Sequence, residues 1–574
     1  MESGTADIAV KNRRAFLPQN ITIDSWSKVE PFYIELRDRT IASLADLNKW
    51  LLDRSELEAV MSEDLGWRYI RSTCNTQNQE YDKAYNFFIQ EIEPKAAPYR
   101  NSFNKKFMES PFLKEIDKKR YAIYLRAIKQ EQEVYRENNI PLITEVQADS
   151  LKYGTITSLM TVTIDSKELT LQEANVYLEN TDRNKRKEAY EKIQERRKKD
   201  RAELNELFNN LLGLRDTIAK NADFKNYRDY SFKSMGRFDY SVKDCFDFHE
   251  SVLKEIVPAV NEYSKKFKRN LKLDSLRPWD TSADETGKPP LKPFQTDKEL
   301  TSKAIECFTK VRPFYGECLA RMQKLDHLDL ASRKGKSPGG YNYPLYETGI
   351  PFIFMNAVGT LGDVITMVHE GGHAVHSIVT RDLELTGFKD VPSEVAELAS
   401  MSMELISMEH WDVFFKDPED LKRAKKDQLE KILHVLPWIA SVDKFQHWIY
   451  ENPKHTNEER YAEWMKIMKK FGDEVVDWSG CEDNLENLWQ KQLHIFEIPF
   501  YYIEYGMAQL GAIAVWRNYK ANPAKALDAY ENALKLGYTK SIKEIYKTAG
   551  IEFNFSASYI KELVDFVNKE MDKL

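Results

Sequence analysis

Between Thr360 and Thr380 the chain reads TLGDVITMVHEGGHAVHSIVT, and no other stretch limits the possible folds so strongly. Leu361, Val364, Ile365, Met367, Val368, Val375, Ile378 and Val379 fall on nearly every face of a helix, so the helix is expected to be buried. Three histidines and a glutamate on a buried helix need partners, because each buried polar group left unpaired costs on the order of several kcal/mol. Gly371 and Gly372 add a second constraint. Glycines inside a helix cost about 1 kcal/mol each relative to alanine. The pair predicts a close approach to that backbone, by substrate or by a neighbouring strand.

Residues four apart on a helix lie about 40° apart around its axis. His369 and His373 therefore address one metal ion from one face. Glu370 sits about 100° round from His369, within reach of a water beside that ion. Neutral imidazoles bind zinc, zinc lowers the pKa of a water, and a carboxylate takes its proton. Two core histidines and a surface glutamate would satisfy the same short pattern, but the apolar flanks argue against a surface position. His376 shares the face, about 20° from His369. It lies one further turn along, and a straight helix rarely wraps three ligands round a tetrahedral ion, so it is assigned a place behind the ligands.

A catalytic zinc takes three protein ligands and keeps one position open. Val391 to Leu405 reads VPSEVAELASMSMEL, with Pro392 suited to the first turn of a helix. Glu397, Ser400, Met401, Glu404 and Met408 share one face of it, among mostly apolar neighbours. Buried carboxylates there call for a cation, a histidine donor or an arginine. Spacing alone leaves Glu394, Glu397 and Glu404 as candidates.

HEGGHAVH followed by SEVAELASMSMEL resembles the M3 family of zinc oligopeptidases, in its oligoendopeptidase F branch. The resemblance covers most of the chain. Residues 186–574 look like the catalytic unit, with Leu212-Gly213-Leu214-Arg215, Asn226-Tyr227 and Ile256-Val257-Pro258 as weaker marks, and residues 1–185 resemble the helical N-terminal region. It implies Glu397 as the third ligand and Glu404 as the carboxylate that orients a ligand histidine. Where other members often carry Pro-Ser-Gln after the ligand glutamate, this chain has Leu398-Ala399-Ser400-Met401.

Further on, residues 494–516 read HIFEIPFYYIEYGMAQLGAIAVW, with Pro499 placed where a helix can start. Taken alone, Tyr501, Tyr502 and Tyr505 form an aromatic stripe suited to a core. The resemblance implies instead that His494 and Tyr505 stabilise the tetrahedral intermediate, with Tyr502 or Tyr501 as a further substrate contact. Upstream lie the glycine turn Gly339-Gly340-Tyr341 and the strand-like Pro351 to Asn356. That strand either sits in the core or pairs its free edge with an extended peptide. The resemblance implies the second, and a zincin, neurolysin-like fold: two helical lobes flanking a deep channel, with one Zn2+ per chain at its floor.

The chain has 574 residues but only 22 Gly and 21 Pro, which favours long helices. Glu203 to Lys220, ELNELFNNLLGLRDTIAK, repeats with a period near 3.6. The expected fold is mainly α, with a small β element near the metal helix. Residues 143–164 read as β-like, and 277–295, with four prolines, as a loop. A net charge of -7 and the lack of a basic domain argue against a nucleic-acid partner. Five sparse cysteines suggest a reducing compartment. No run reaches ~18 apolar residues and no apolar stretch follows Met1, so neither a membrane span nor secretion is expected.

Together these readings describe a cytoplasmic zinc endopeptidase of short, unstructured peptides, monomeric or homo-oligomeric. Two alternatives remain. A metallocarboxypeptidase on a related helical fold would need a basic residue for the terminal carboxylate. A catalytically silent peptide-binding protein would keep zinc without turnover.

Overall fold

The computed structural model describes residues 14–574, so the stretch after Met1 read for an apolar leader lies outside the described residues. Apolar side chains gather into two main cores. The first is built on α1 (Leu44–Cys74), whose start is capped by Ser43 accepting the Asp46 N–H. Leu47, Trp50 and Leu51 of α1 pack there with Leu36, Phe88, Phe103 and Ile128. The second and larger core collects residues from Tyr153 to Val567.

Residues 143–164 depart from expectation. Residues 143–158 lie in helix α2 (Ile140–Ser158), and only Thr161–Ile164 forms a strand, β1, paired antiparallel with β2 (Lys167–Thr170). The face of α2 that is buried carries Asp149, Ser150, Tyr153, Gly154 and Ser158. Its inward residues are small or polar, so the β-branched residues elsewhere on it mask the helical period. Tyr153, Met160, Val162, Ile164, Leu171 and Ala174 join the larger core. The last part of the expected N-terminal region, 1–185, thus packs into the larger core with residues from the rest of the chain.

The periodic run at 203–220 lies in α3 (Arg201–Asn221), which buries Leu204, Leu207, Phe208 and Leu211. It is followed by α4 (Val242–Glu255). Residues 277–295 form a loop with one short 3-10 turn, Pro278–Asp280. Then come α5 (Asp297–Val311) and a three-stranded sheet of β3 (Leu328–Ala331), β4 (Tyr341–Tyr343) and β5 (Phe352–Ala357). Its order is β3-β5-β4, with β5 parallel to β3 and antiparallel to β4. The expectation that the strand at 351–356 offers a free edge is therefore corrected. β5 is central and paired on both sides, and β4 is an edge strand.

The sheet leads into α6 (Leu361–Thr380), started by a capping box in which Thr360 and Asp363 satisfy each other's backbone N–H groups. Next come α7 (Ser393–Ser407), with Pro392 at its cap, then α8 (Pro418–Glu451) and α9 (Ile503–Ala521). The glycine pair in α6 is explained by helix packing. A Cβ on Gly372 would lie 2.7 Å from Ser400 Cα in α7, and one on Gly371 would lie 2.5 Å from the Phe308 ring of α5. The close neighbours are helices, neither a strand nor substrate.

α1 joins the first core to the three-stranded sheet and the loop after β4. A Cβ on Gly66 would meet the Tyr343 ring at 2.5 Å. Thr73 Oγ1 and Tyr341 Oη are 2.6 Å apart, and Glu63 accepts the N–H groups of Glu347 and Thr348 at 2.8 Å. A cavity of about 920 Å³ is lined by Arg54, Glu58 and Tyr124 together with Tyr346, Tyr501 and Glu504. Among the described residues no helix is long and apolar enough to cross a membrane.

Candidate active site

α6 and α7 bring the predicted ligands together. His369, His373 and Glu397 place one ligating atom each within 4.8 Å of one another. His369 Nε2 is 3.2 Å and His373 Nε2 3.5 Å from Glu397 Oε2. Ligands at 2.0–2.2 Å around a tetrahedral ion stand about 3.3–3.6 Å apart, so the donor set fits zinc. The close packing permitted by Gly372 is what sets this spacing between the helices. The two imidazoles hold the Glu397 carboxyl well below its ordinary range despite burial, which alone would raise it. Glu394, another of the three candidates, faces Arg237 and Tyr240 instead.

Around the triad lies a ring of supporting contacts. Glu404 Oε1 is 2.7 Å from His369 Nδ1, which leaves Nε2 for the metal, and Gln428 donates to Glu404 Oε2 at 2.8 Å. Ser400 donates to Glu397 Oε2 at 3.1 Å. Tyr501, expected on substrate, donates to Glu397 Oε1 at 2.7 Å. His376 is buried one turn beyond His373, and its Nε2 has no hydrogen-bond partner. Burial pushes its pKa down to about 3, so the ring is neutral.

Glu370 is 5 % exposed, and its Oε2 is unpartnered. Desolvation raises its pKa. A Cβ on Gly340 would lie 3.5 Å from Glu370 Oε1 and 3.1 Å from the Thr366 methyl. The bare glycine keeps that approach clear. Gly340, Tyr341 and Asn342 line a cavity of about 360 Å³ with the triad, Glu370, Tyr501 and Tyr505. Gly339 turns the chain at φ 92°, and its carbonyl accepts from Asn356.

The tyrosine segment is not one helix from Pro499. A short helix, Leu493–Glu497, ends before it, and α9 begins only at Ile503. Phe500 between them has φ 70°, a left-handed conformation no helix can run through. The resulting turn brings Tyr505 Oη to 3.2 Å from His494 Nε2. The Tyr502 ring packs against both, at 5.1 and 5.2 Å between centroids. Burial pushes His494 down to about 4, and burial together with Glu397 keeps the Tyr505 phenol protonated. Gln492 contacts His494 Nδ1 at 2.7 Å and is itself held by Trp438. Gln492 and Gln428 were not singled out from sequence. The only signal Gln428 gives is a polar residue on an inward helix face.

Residues 176–565 match the family model for peptidase family M3, and 16–146 that for the Peptidase M3 N-terminal domain. The chain belongs to peptidase family M3. The M3 chain is similar to oligopeptidase PepF of Bacillus subtilis (strain 168), at 23% identity over 560 residues, covering 92% of this chain and 81% of that protein. It is 22% identical over 537 residues to an oligoendopeptidase F homolog of Borreliella burgdorferi, covering 89% and 87%. Among solved structures, PZ peptidase A with inhibitor 2 matches with a TM-score of 0.92 at 25% identity, covering 97% of this chain and 98% of that one. The expected mainly α fold, with small sheets, agrees with that structure. As an M3 peptidase the protein is a metalloendopeptidase acting on oligopeptides, with a metal cofactor.

Proposed function

We propose that this M3 peptidase holds one Zn2+ on His369, His373 and Glu397 and cleaves internal bonds of short, unstructured peptides. The observation that carries the reading is the convergence of those three ligating atoms within 4.8 Å at the floor of the cavity. When bound, zinc supplies Lewis acidity, polarising a carbonyl and making a water more acidic. Glu370 takes the proton from the attacking water and passes it to the leaving amine. Tyr505 donates to the oxygen of the former carbonyl, where charge develops, and His494 fixes the phenol's direction. The edge strand β4, entered through Gly340, hydrogen-bonds the extended peptide backbone.

The small cavity around the triad, about 360 Å³, supports a limit to extended, unstructured peptides. The five cysteines are free, which supports action in a reducing compartment such as the cytoplasm. The test is a peptide-length series with mass-spectrometric mapping, run with and without chelator. Chelator-sensitive internal cuts that fade as length increases are expected. Stepwise release of C-terminal residues would make the enzyme a carboxypeptidase, and cleavage of intact folded proteins would contradict that limit.

A further inference from the structure

Away from the active site, the larger core contains a second cluster of metal-ligating side chains. Cys245 and His249 stand four apart on α4, and Asp443 and His447 four apart on α8, so each pair shares one face of its helix. The ligating atoms of Cys245, Asp443 and His447 lie within 4.8 Å of one another. Among the described residues the only other group so placed is His369, His373 and Glu397.

The hydrogen bonding of this cluster is incomplete. All four side chains are at most 2 % exposed. His249 Nε2 lies 2.8 Å from Asp443 Oδ2, a hydrogen bond. His447 Nε2 lies 3.2 Å from the same oxygen, but neither nitrogen of that ring has a hydrogen-bond partner, nor does Asp443 Oδ1. Buried groups left so cost about 1–3 kcal/mol each. The 3.2 Å spacing repeats that of His369 Nε2 and Glu397 Oε2 in the catalytic triad. Phe232, Phe246 and Phe500 pack their rings around His447 and make the surroundings apolar.

We propose that Cys245, Asp443 and His447 supply three ligands of a second, buried site for a borderline-soft divalent cation, zinc foremost. One thiolate, one imidazole and one carboxylate suit that class of ion. His249 orients the Asp443 carboxylate, a role parallel to that of Glu404 on His369. The cation takes Cys245 as its thiolate, so it enters as the thiol proton leaves. The site lies beneath the turn that presents the catalytic tyrosines. Gln446, next to His447, accepts the Phe500 N–H at 2.8 Å. Arg237 binds both the Phe500 carbonyl and Glu504. A cation here braces the left-handed Phe500 and, through it, Tyr501, Tyr502 and Tyr505.

Metal analysis of the zinc-saturated, extensively dialysed chain tests this. Two equivalents are expected in the wild type and one in the His369→Ala/His373→Ala double variant. With cobalt(II) in place of zinc, that double variant should show a near-ultraviolet thiolate-to-cobalt charge-transfer band, and adding Cys245→Ser should abolish it. One equivalent in the wild type with none in the double variant, or a cobalt-loaded double variant without the band, would overturn the proposal. The double variant leaves the second site intact, so a Cys245→Ser chain that failed to fold would not remove the test.

Discussion

Tyr501 donates to Glu397 Oε1 at 2.7 Å, while Oε2 of the same carboxylate faces His369 and His373 at 3.2 and 3.5 Å. One side chain thus joins the turn before α9 to the metal triad. A hydrogen bond to a charged acceptor in such a place contributes about 1.5–3 kcal/mol.

Tyr501→Phe should therefore weaken metal binding about 10- to 100-fold, the usual effect of losing a partner that orients a ligand. Competition with a chelator of known affinity measures it. Unchanged metal affinity with a raised KM would make Tyr501 a substrate contact only, as the sequence resemblance implied.

On the proposed mechanism, Tyr505→Phe removes a donor aimed at charge that develops only as the bond breaks. The expected loss in kcat is about 10²–10³-fold, with KM little changed and metal content full. A raised KM at wild-type kcat would place the phenol on bound substrate alone. His494, already neutral with its pKa down to about 4, orients the phenol and should not introduce a titration near neutrality.

Gly372→Ala tests the packing that spaces the triad. Its Cβ would meet the backbone of Ser400 at 2.7 Å and the Ala399 carbonyl at 3.0 Å, and neither yields without moving α7. Overpacking of this kind costs about 1–3 kcal/mol, and the shift carries Glu397 away from the histidines. A lower Tm together with weaker metal binding is expected, read by calorimetry and metal titration. A variant equal to wild type in both would show that α6 and α7 are not held so closely.

The pairing of His369 and His373 was legible because it obeys helix geometry: the two share a face, and Glu370 projects beside them. Glu397 was one of three carboxylates open on spacing, and family likeness selected it. Gly371 and Gly372 announced a close approach without saying what approached, since the partners Phe308 and Ser400 lie far away in the chain. The strand at 352–357 was recognisable by composition, but its central place depends on pairing with β3 and β4, which periodicity does not encode. The left-handed Phe500 breaks the tyrosine segment and has no signal in residue type, because that conformation is stabilised by Gln446 from a distant helix and Arg237 from a distant loop.

The buried His376 predicts how stability responds to acid. Its pKa is pushed from 6.5 to about 3 by burial. The unfolded chain accepts a proton that the folded one refuses, so this contribution is whole above the ordinary histidine pKa and is lost as pH falls towards 3. The slope approaches about 1.4 kcal/mol per pH unit for one proton. Urea unfolding of chelated protein across that range, with His376→Gln as comparison, should show a shallower acid dependence in the variant. Parallel curves would mean that His376 titrates alike in the folded and unfolded chain.

Glu370→Gln tests the central claim most directly. Zinc content and hydrolysis of one internally quenched peptide are measured on the same preparation. The account predicts a full equivalent retained at His369, His373 and Glu397, with turnover reduced on the order of 10²–10⁴-fold by loss of the proton acceptor. A variant that holds its metal and still cleaves at the wild-type rate would contradict it.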